Sequence, residues 1–438
     1  MYYLLTEYMK KTILPALAFL LVLDVSAQQH DKTINRVIKE KKVRKIEKIL
    51  SSDDMEGRGT FTPGIDKAAD VIAAAFKKNR LIPAEGNNGY FQEFALVEAT
   101  QTAVSGNVDG TAISGSDIVV LTTAERLSVD EQSGYETGTI GANDRLFNKA
   151  YSYIHSGKNH IVWVDTAHSK NFGNLLRFKR ENFKSNRSIL FVLTGKTPVS
   201  YTFTVQHAVS EKKLKNVVGI LPGRKDEYVI FSAHYDHLGI GEPNQNGDSI
   251  FNGANDDAAG TTAVIMLSQY FSKIKNNERT LVFAAFTAEE IGGFGSQYFS
   301  QQFDPEKVVA MFNIEMIGTD SKWGKNSAYI TGYEKTDMGK ILEKNLEGTG
   351  FTFYPDPYPG QQLFYRSDNA TLARLGVPAH TISTSKMDNE PFYHTQDDEI
   401  ETLDLKNMTE IIKAIALSSR TIVSGEDTPS RVDTKQLR

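Results

Sequence analysis

Five short stretches of this 438-residue sequence place metal-competent or proton-accepting side chains beside apolar runs or in polar loops. In Ser232-Ala233-His234-Tyr235-Asp236-His237, a histidine ends an apolar run and a carboxylate stands two residues on. A carboxylate so placed can accept the second ring N–H of the imidazole and fix its tautomer. Gly253-Ala254-Asn255-Asp256-Asp257-Ala258-Ala259-Gly260 sets two carboxylates just before a long apolar helical pattern. Either suits a helix start, and the small residues around them let the backbone approach a bound ion, which one carboxylate could bridge to a second. In Phe286-Thr287-Ala288-Glu289-Glu290-Ile291-Gly292-Gly293 the adjacent glutamates cost desolvation and repulsion unless a cation or proton resolves them. Neighbours in sequence project differently, so one can bind metal while the other faces a water as general base. Glu315, in Asn313-Ile314-Glu315-Met316-Ile317-Gly318, ends a strongly apolar run, an awkward place for a carboxylate without a partner. His394 lies in the polar stretch Tyr393-His394-Thr395-Gln396-Asp397-Asp398. None of these stretches is decisive alone. Together they offer two histidines and three carboxylates, with one carboxylate to spare. That set suits two zinc ions about 3.5–4 Å apart sharing a bridging carboxylate.

The elements that must position these residues follow from the apolar periodicity. Strands are expected at 216–221, 228–233, 280–286, 308–314, 328–331 and 377–382, and helices at 258–274, 335–347, 369–375 and 405–423. Alternation of this kind implies an α/β domain with a mostly parallel sheet between helical layers. In such sheets ligands gather at the carboxyl ends of strands. Upstream, a helix is expected at 34–50, then a polar glycine-rich loop at 51–59 and a second helix at 64–79. Between 98 and 205 lie short β-like runs among polar turns, and none of the chemical stretches falls there. The expected organisation is a signal segment at 1–27, a catalytic domain at 28–97 and 206–424, an inserted accessory subdomain at 98–205, and a loose polar tail at 425–438.

Composition narrows the function classes. Lys10 and Lys11, the apolar run 13–23 and Val25-Ser26-Ala27 have the layout of a secretory signal cleaved near Ala27, so a secreted or periplasmic protein is expected. The run is short for a membrane span, and no later segment offers one. The net charge of −5 gives no reason to expect a nucleic-acid partner, and the Lys/Arg-dense stretch 39–48 reads as the solvated face of a helix. There is no cysteine, so any metal site must be built from His, Asp and Glu.

The same stretches carry a family resemblance. Ala233–Gly239, Gly253–Gly260, Ala288–Ser296, Asn313–Gly318 and Tyr393–Asp398 resemble the co-catalytic zinc aminopeptidases, relatives of glutamate carboxypeptidase II, the transferrin receptor ectodomain and the glutaminyl cyclases. Met55-Glu-Gly-Arg-Gly59, Asn216–Gly223 and Arg366-Ser-Asp-Asn-Ala370 extend the likeness, while 98–205, where many members carry a protease-associated domain, is only weakly familiar. The resemblance implies a zinc exopeptidase fold of the phosphorylase/hydrolase-like kind and an exported aminopeptidase acting on peptides. It implies two zincs, with His234 and Glu315 on one, Glu290 and His394 on the other, and Asp256 bridging. Glu289 would be the general base, Asp236 the partner of His234, and Tyr393 a hydrogen-bond donor to the tetrahedral intermediate, while His237 matches a non-ligand position. Two departures stand out: Glu315 replaces a frequent Asp, and Asn369 a frequent His, which could alter the pocket wall. Arg366 is a candidate for holding an anionic substrate, although a structural salt bridge is its plainer reading. The alternatives are a glutaminyl-cyclase-like acyltransferase with one zinc, or a non-catalytic binding protein on the same fold.

Overall fold

The computed structural model describes residues 32–437, so the segment read as a secretory signal lies outside the described residues. The chain forms two compact units. One comprises the described residues up to Glu93 and from Lys215 onward, and the other is Phe94–Leu214.

The first unit is built on strands β1 (Tyr201–Leu221, of which the end from Lys215 belongs here), β2 (Lys225–His234), β3 (Arg279–Phe286), β4 (Val308–Ile314), β5 (Ser327–Ile330), β6 (Thr352–Pro355) and β7 (Ala379–Ser383). Their order is β6-β5-β7-β4-β2-β3-β1. The pairs β2–β3, β2–β4, β4–β7 and β5–β6 are parallel, while β1–β3 and β5–β7 are antiparallel. Both faces are covered, so the central strands are apolar at nearly every position. Val229, Phe231 and Ala233 face one cluster, and Ile230 faces another. On the first face Phe231 sits in register with Phe283 and Phe312, with ring centroids 5.6 and 4.9 Å away. Helices α1 (Glu40–Leu50), α2 (Pro63–Lys78), α3 (Ala259–Ile274), α4 (Met338–Leu346) and α6 (Leu405–Ser418) close over that face, and α5 (Asn369–Ala373) packs on the other. The unit is thus an α/β sandwich with a mostly parallel mixed sheet.

Three expectations change. The first helix is interrupted at 38–39, so that α1 begins only at Glu40. The last helix ends at Ser418, and a short turn of helix, Arg420–Ser424, follows separately. The C-terminal segment is held along the unit. Arg279 Nη1 donates to Asp427 O at 2.6 Å, Arg431 Nη1 to Val308 O at 2.9 Å, and Val432 N to Gly376 O at 3.0 Å. Its polar composition gave no hint of this, because the contacts join segments far apart in sequence, two through arginine side chains and one through the main chain.

The second unit has its own core. Strands Ile118–Leu121, Ile189–Leu193, His160–Val164 and Glu136–Ile140 form a four-stranded sheet in that order. Alternate residues of one strand serve two clusters: Ile161 and Trp163 join Phe203 and Val205, while Val162 and Val164 join Leu146 and Phe172. Among the described residues no helix is long and apolar enough to cross a membrane.

One buried charge sits apart from the strand ends. Glu47 shares the inward face of α1 with Val43 and Leu50, and both its carboxylate oxygens are buried without a hydrogen-bond partner. Burial raises its pKa from 4.5 to about 8. A raised acid binds its proton more tightly in the fold than in the unfolded chain, so stability falls as pH rises from 4.5 towards 8 and then levels. The penalty at alkaline pH is at most on the order of 5 kcal/mol. Glu47→Gln is therefore expected to unfold at a higher temperature than the parent at pH 8.5 but not at pH 4.5. Parallel Tm-against-pH curves for the two proteins would disprove the assignment.

Candidate metal centre

The carboxyl ends of β2, β3 and β4, with the loop before α3 and the 393–398 stretch, bring the expected residues into one place. His234 is the last residue of β2, and its Nε2 lies 3.1 Å from Asp256 Oδ1. His394 Nε2 lies 3.2 Å from Asp256 Oδ2 and 3.3 Å from Glu290 Oε2. Asp256 thus presents one oxygen to each histidine. Glu315 follows the end of β4 and converges with His234 and Asp256, their ligand atoms all within 4.8 Å of one another.

These spacings suit a cation. Ligand atoms 2.0–2.2 Å from a tetrahedral zinc are about 3.3–3.5 Å apart, close to the separations seen here. Despite its short approach to Asp256, His234 Nε2 makes no hydrogen bond, and neither does the buried Glu315 Oε2. Both are polar atoms removed from water and aimed at a common point. The electrostatics agree. Burial pushes the Glu315 carboxyl up to about 7. Burial also opposes ionisation of Glu290, but contacts with His237 and His394 outweigh it and bring that group down to about 2. Burial works against an imidazolium at His394, yet the adjoining Asp256 and Glu290 raise it to about 10. The cluster favours positive charge at its centre.

Other carboxylates hold the ligands in place. Asp236 was expected to orient His234, and it meets His234 Nδ1 more closely through its carbonyl, at 3.1 Å, than through its carboxylate, at 3.7 Å. The carboxylate instead accepts the N–H groups of Glu289 and Glu290 at 3.0 and 3.2 Å and so fixes the turn that carries both glutamates. Asp398 does the same for the other loop, accepting from the N–H groups of Asn255 and Asp256 at 2.8 and 3.0 Å. Asp257 takes the helix-start role that sequence left open between it and Asp256, accepting from Gly260 N and Met316 N, each at 3.0 Å. Gly260 is needed there: a Cβ would lie 2.2 Å from Ile314 O, so α3 could not come this close to the strand bearing Glu315.

Arg58, from the Met55–Gly59 stretch, is fully buried and gives its guanidinium to main-chain carbonyls. It donates to Tyr235 O at 2.9 Å, Leu50 O and Asn252 O at 2.6 Å, and Gly253 O at 2.7 Å. The fork thereby ties the end of β2 to the Asp256 loop, which a point-like ammonium could not do.

His237, expected at a non-ligand position, lies against the cluster. Its Nδ1 lies 2.9 Å from Glu290 Oε1 and 3.9 Å from Asp256 Oδ2, and it forms a second possible ligand group with them. Strand alternation puts His234 and His237 on opposite faces, but β2 ends at His234 and that rule ends with it. Asn369 also differs from expectation. It does not line the cleft over the cluster; it donates to Phe364 O and accepts from Thr381 Oγ1, a bracket behind the wall. The cleft is lined by Glu289, Tyr393 and Arg366 together with Asp256, Glu290, Glu315 and His394. Tyr393 stacks on His394, ring centroids 3.9 Å apart. Arg366 makes no ion pair among the described residues; its Nη1 approaches Gln361 Oε1 at 3.3 Å.

A histidine that orients a ligating carboxylate typically contributes 10–100-fold in metal affinity. His237→Ala is expected to weaken zinc binding by about that factor, measured by competition with a chromophoric chelator. Unchanged affinity would leave His237 as packing alone.

The chain is similar to known proteins over this region. Residues 216–418 match Peptidase family M28. A probable leucine aminopeptidase of Trichophyton verrucosum is 28% identical over 206 residues, 45% of this chain and 54% of the relative. One from Arthroderma benhamiae is 28% identical over 205 residues, again 45% and 54%. The chain therefore spans about half the length of the curated relatives it matches. Among solved structures, the aminopeptidase of Aneurinibacillus sp. strain AM-1 has a TM-score of 0.53 at 16% identity, covering 89% of this chain and 95% of that one. A zinc aminopeptidase of Bacillus subtilis gives 0.53 at 16%, covering 89% and 97%. These structures share the α/β fold. The match to Peptidase family M28 spans residues 216–418 and runs through every one of the five chemical stretches.

Proposed function

We propose that this protein is an exported zinc exopeptidase that removes amino-terminal residues from peptides. The observation that carries the proposal is the shared Asp256, with one oxygen toward His234 and the other toward His394, at separations that suit zinc ligation. His234 and Glu315 would hold one ion and Glu290 and His394 the other, with Asp256 between them. The extra methylene of Glu315, compared with the frequent Asp, does not keep its carboxylate from converging on His234 and Asp256. When bound, the two ions would supply a water acidified towards a pKa of about 7 and would polarise the scissile carbonyl.

The chain's own residues do the rest. Glu289 lines the cleft, and burial, reinforced by Asp368, Glu315 and Glu290, raises its pKa well above the ordinary carboxylate value. A carboxylate of raised basicity is suited to take the proton of the attacking water and return it to the leaving amine. Its main-chain N–H is pinned by Asp236, so the carboxylate is aimed from a fixed turn. Burial raises the Tyr393 phenol, which keeps its proton and can donate to the oxyanion as the tetrahedral species forms. Export is supported by the basic start, apolar run and small-residue site of 10–27. The printed names of the relatives support the aminopeptidase reading.

Glu289→Gln is expected to retain about two zinc ions per chain by elemental analysis. It should lose at least about 10²-fold in kcat on an aminoacyl 4-nitroanilide. The parent's activity should disappear with chelator and return with zinc. Appreciable turnover by the variant would sink the role of Glu289, and one zinc per chain in the parent would sink the two-ion reading.

A further inference from the structure

We propose that Arg366 is the anion receptor of the cleft, so that the preferred substrates are peptides carrying a free carboxylate beside the scissile bond. This rests on the peptidase reading above and narrows its substrate class. Arg366 is the only Lys or Arg lining the cleft, whose apolar side is made by Tyr329, Leu363 and Met387. It is exposed, and among the described residues no carboxylate pairs with it, although four line the same cleft.

The guanidinium is also held in place. Gln361 Nε2 donates to Met387 O at 2.7 Å, which fixes that side chain, and Gln361 Oε1 takes Arg366 Nη1 at 3.3 Å. One of five N–H donors is used, and the fork keeps the paired donors that match a carboxylate. It lines the same cleft as Tyr393, which stacks on His394. The receptor therefore stands at the reacting end of the cleft. A carboxylate it binds belongs to a residue flanking the bond to be cut: either the free α-carboxylate of a short peptide's last residue or an acidic side chain.

The test measures kcat/KM of the zinc-loaded full-length protein on matched pairs. Leu-Gly against Leu-Gly-NH2 reads the α-carboxylate. Leu-Glu-NH2 against Leu-Gln-NH2 and Glu-Gly-NH2 against Gln-Gly-NH2 read a side chain on either flank. At least one pair is expected to favour the carboxylate roughly tenfold or more. Arg366→Gln should collapse that ratio to about one, chiefly through KM, and Arg366→Lys should restore part of it. Ratios near one in all three pairs, or a preference that survives in Arg366→Gln, would overturn the receptor. If no peptide is cut, the peptidase reading fails and binding decides the receptor separately. Calorimetry with N-acetylglycine against N-acetylglycinamide should then show tighter binding of the acid that is lost in Arg366→Gln. Equal binding, or binding indifferent to the substitution, overturns it.

Discussion

Negative charge withdrawn from water is the constraint on which this site depends. Asp236, Asp256, Asp257, Asp368 and Asp398 are buried, and Glu289, Glu290 and Glu315 are partly so, all of them around the ends of three neighbouring strands. Each ionised carboxylate taken into the interior costs several kcal/mol unless a counter-charge or a set of N–H donors replaces its water. A fold that gathers so many must supply both. Three histidines and the Arg58 guanidinium lie inside the group, and the strand and helix ends turn their free N–H groups towards it.

The carboxylates answer that constraint in different ways, and this separates their roles. Asp236 and Asp398 each receive two main-chain N–H groups, and Asp257 Oδ1 likewise receives two. Their negative charge is spent on backbone and holds loops together. Asp256 and Glu290 face histidines, and Glu315 keeps Oε2 without a partner, so their charge remains available to a cation. Glu289 is in neither position. Its main chain is held while its side chain lines the cleft, where proximity to Asp368, Glu315 and Glu290 favours the protonated form. That is the environment a proton carrier needs and a ligand does not.

The sheet and the five chemical stretches were legible because a buried parallel strand leaves a long apolar run and a polar residue directly after it is conspicuous. Strand β4 and Glu315 show this most clearly. What stayed hidden depends on contacts between segments far apart in sequence. Asp398 lies 142 residues from Asp256, and Arg58 lies 177 from Tyr235, and neither pairing leaves a local pattern. The closeness of His237 to Glu290 was open for a local reason, since the end of β2 could not be fixed to one residue and side-chain direction beyond it turns on that residue. Glu47 reads as one more charge on a basic helix, and only the packing of α1 shows it to be interior.

Backbone conformation completes the account of how side chains from a flat sheet meet at a point. Along an ideal strand, successive side chains would stand on opposite faces and diverge. Here Ala288, just before Glu289, has φ +59°; Met316, just after Glu315, has φ +52°; and His394 itself has φ +57°. Left-handed geometry costs a non-glycine residue roughly 1–2 kcal/mol. Two such residues beside site residues and a third that is one share a role, because each turns the chain sharply at the place where a ligand or base must leave the strand direction. Glycine would adopt the same angles without the cost but would let them vary. At Ala288 and Met316 the side chains are buried, so packing holds the unfavourable angle in place. The site's aim is thus set by the core beneath it.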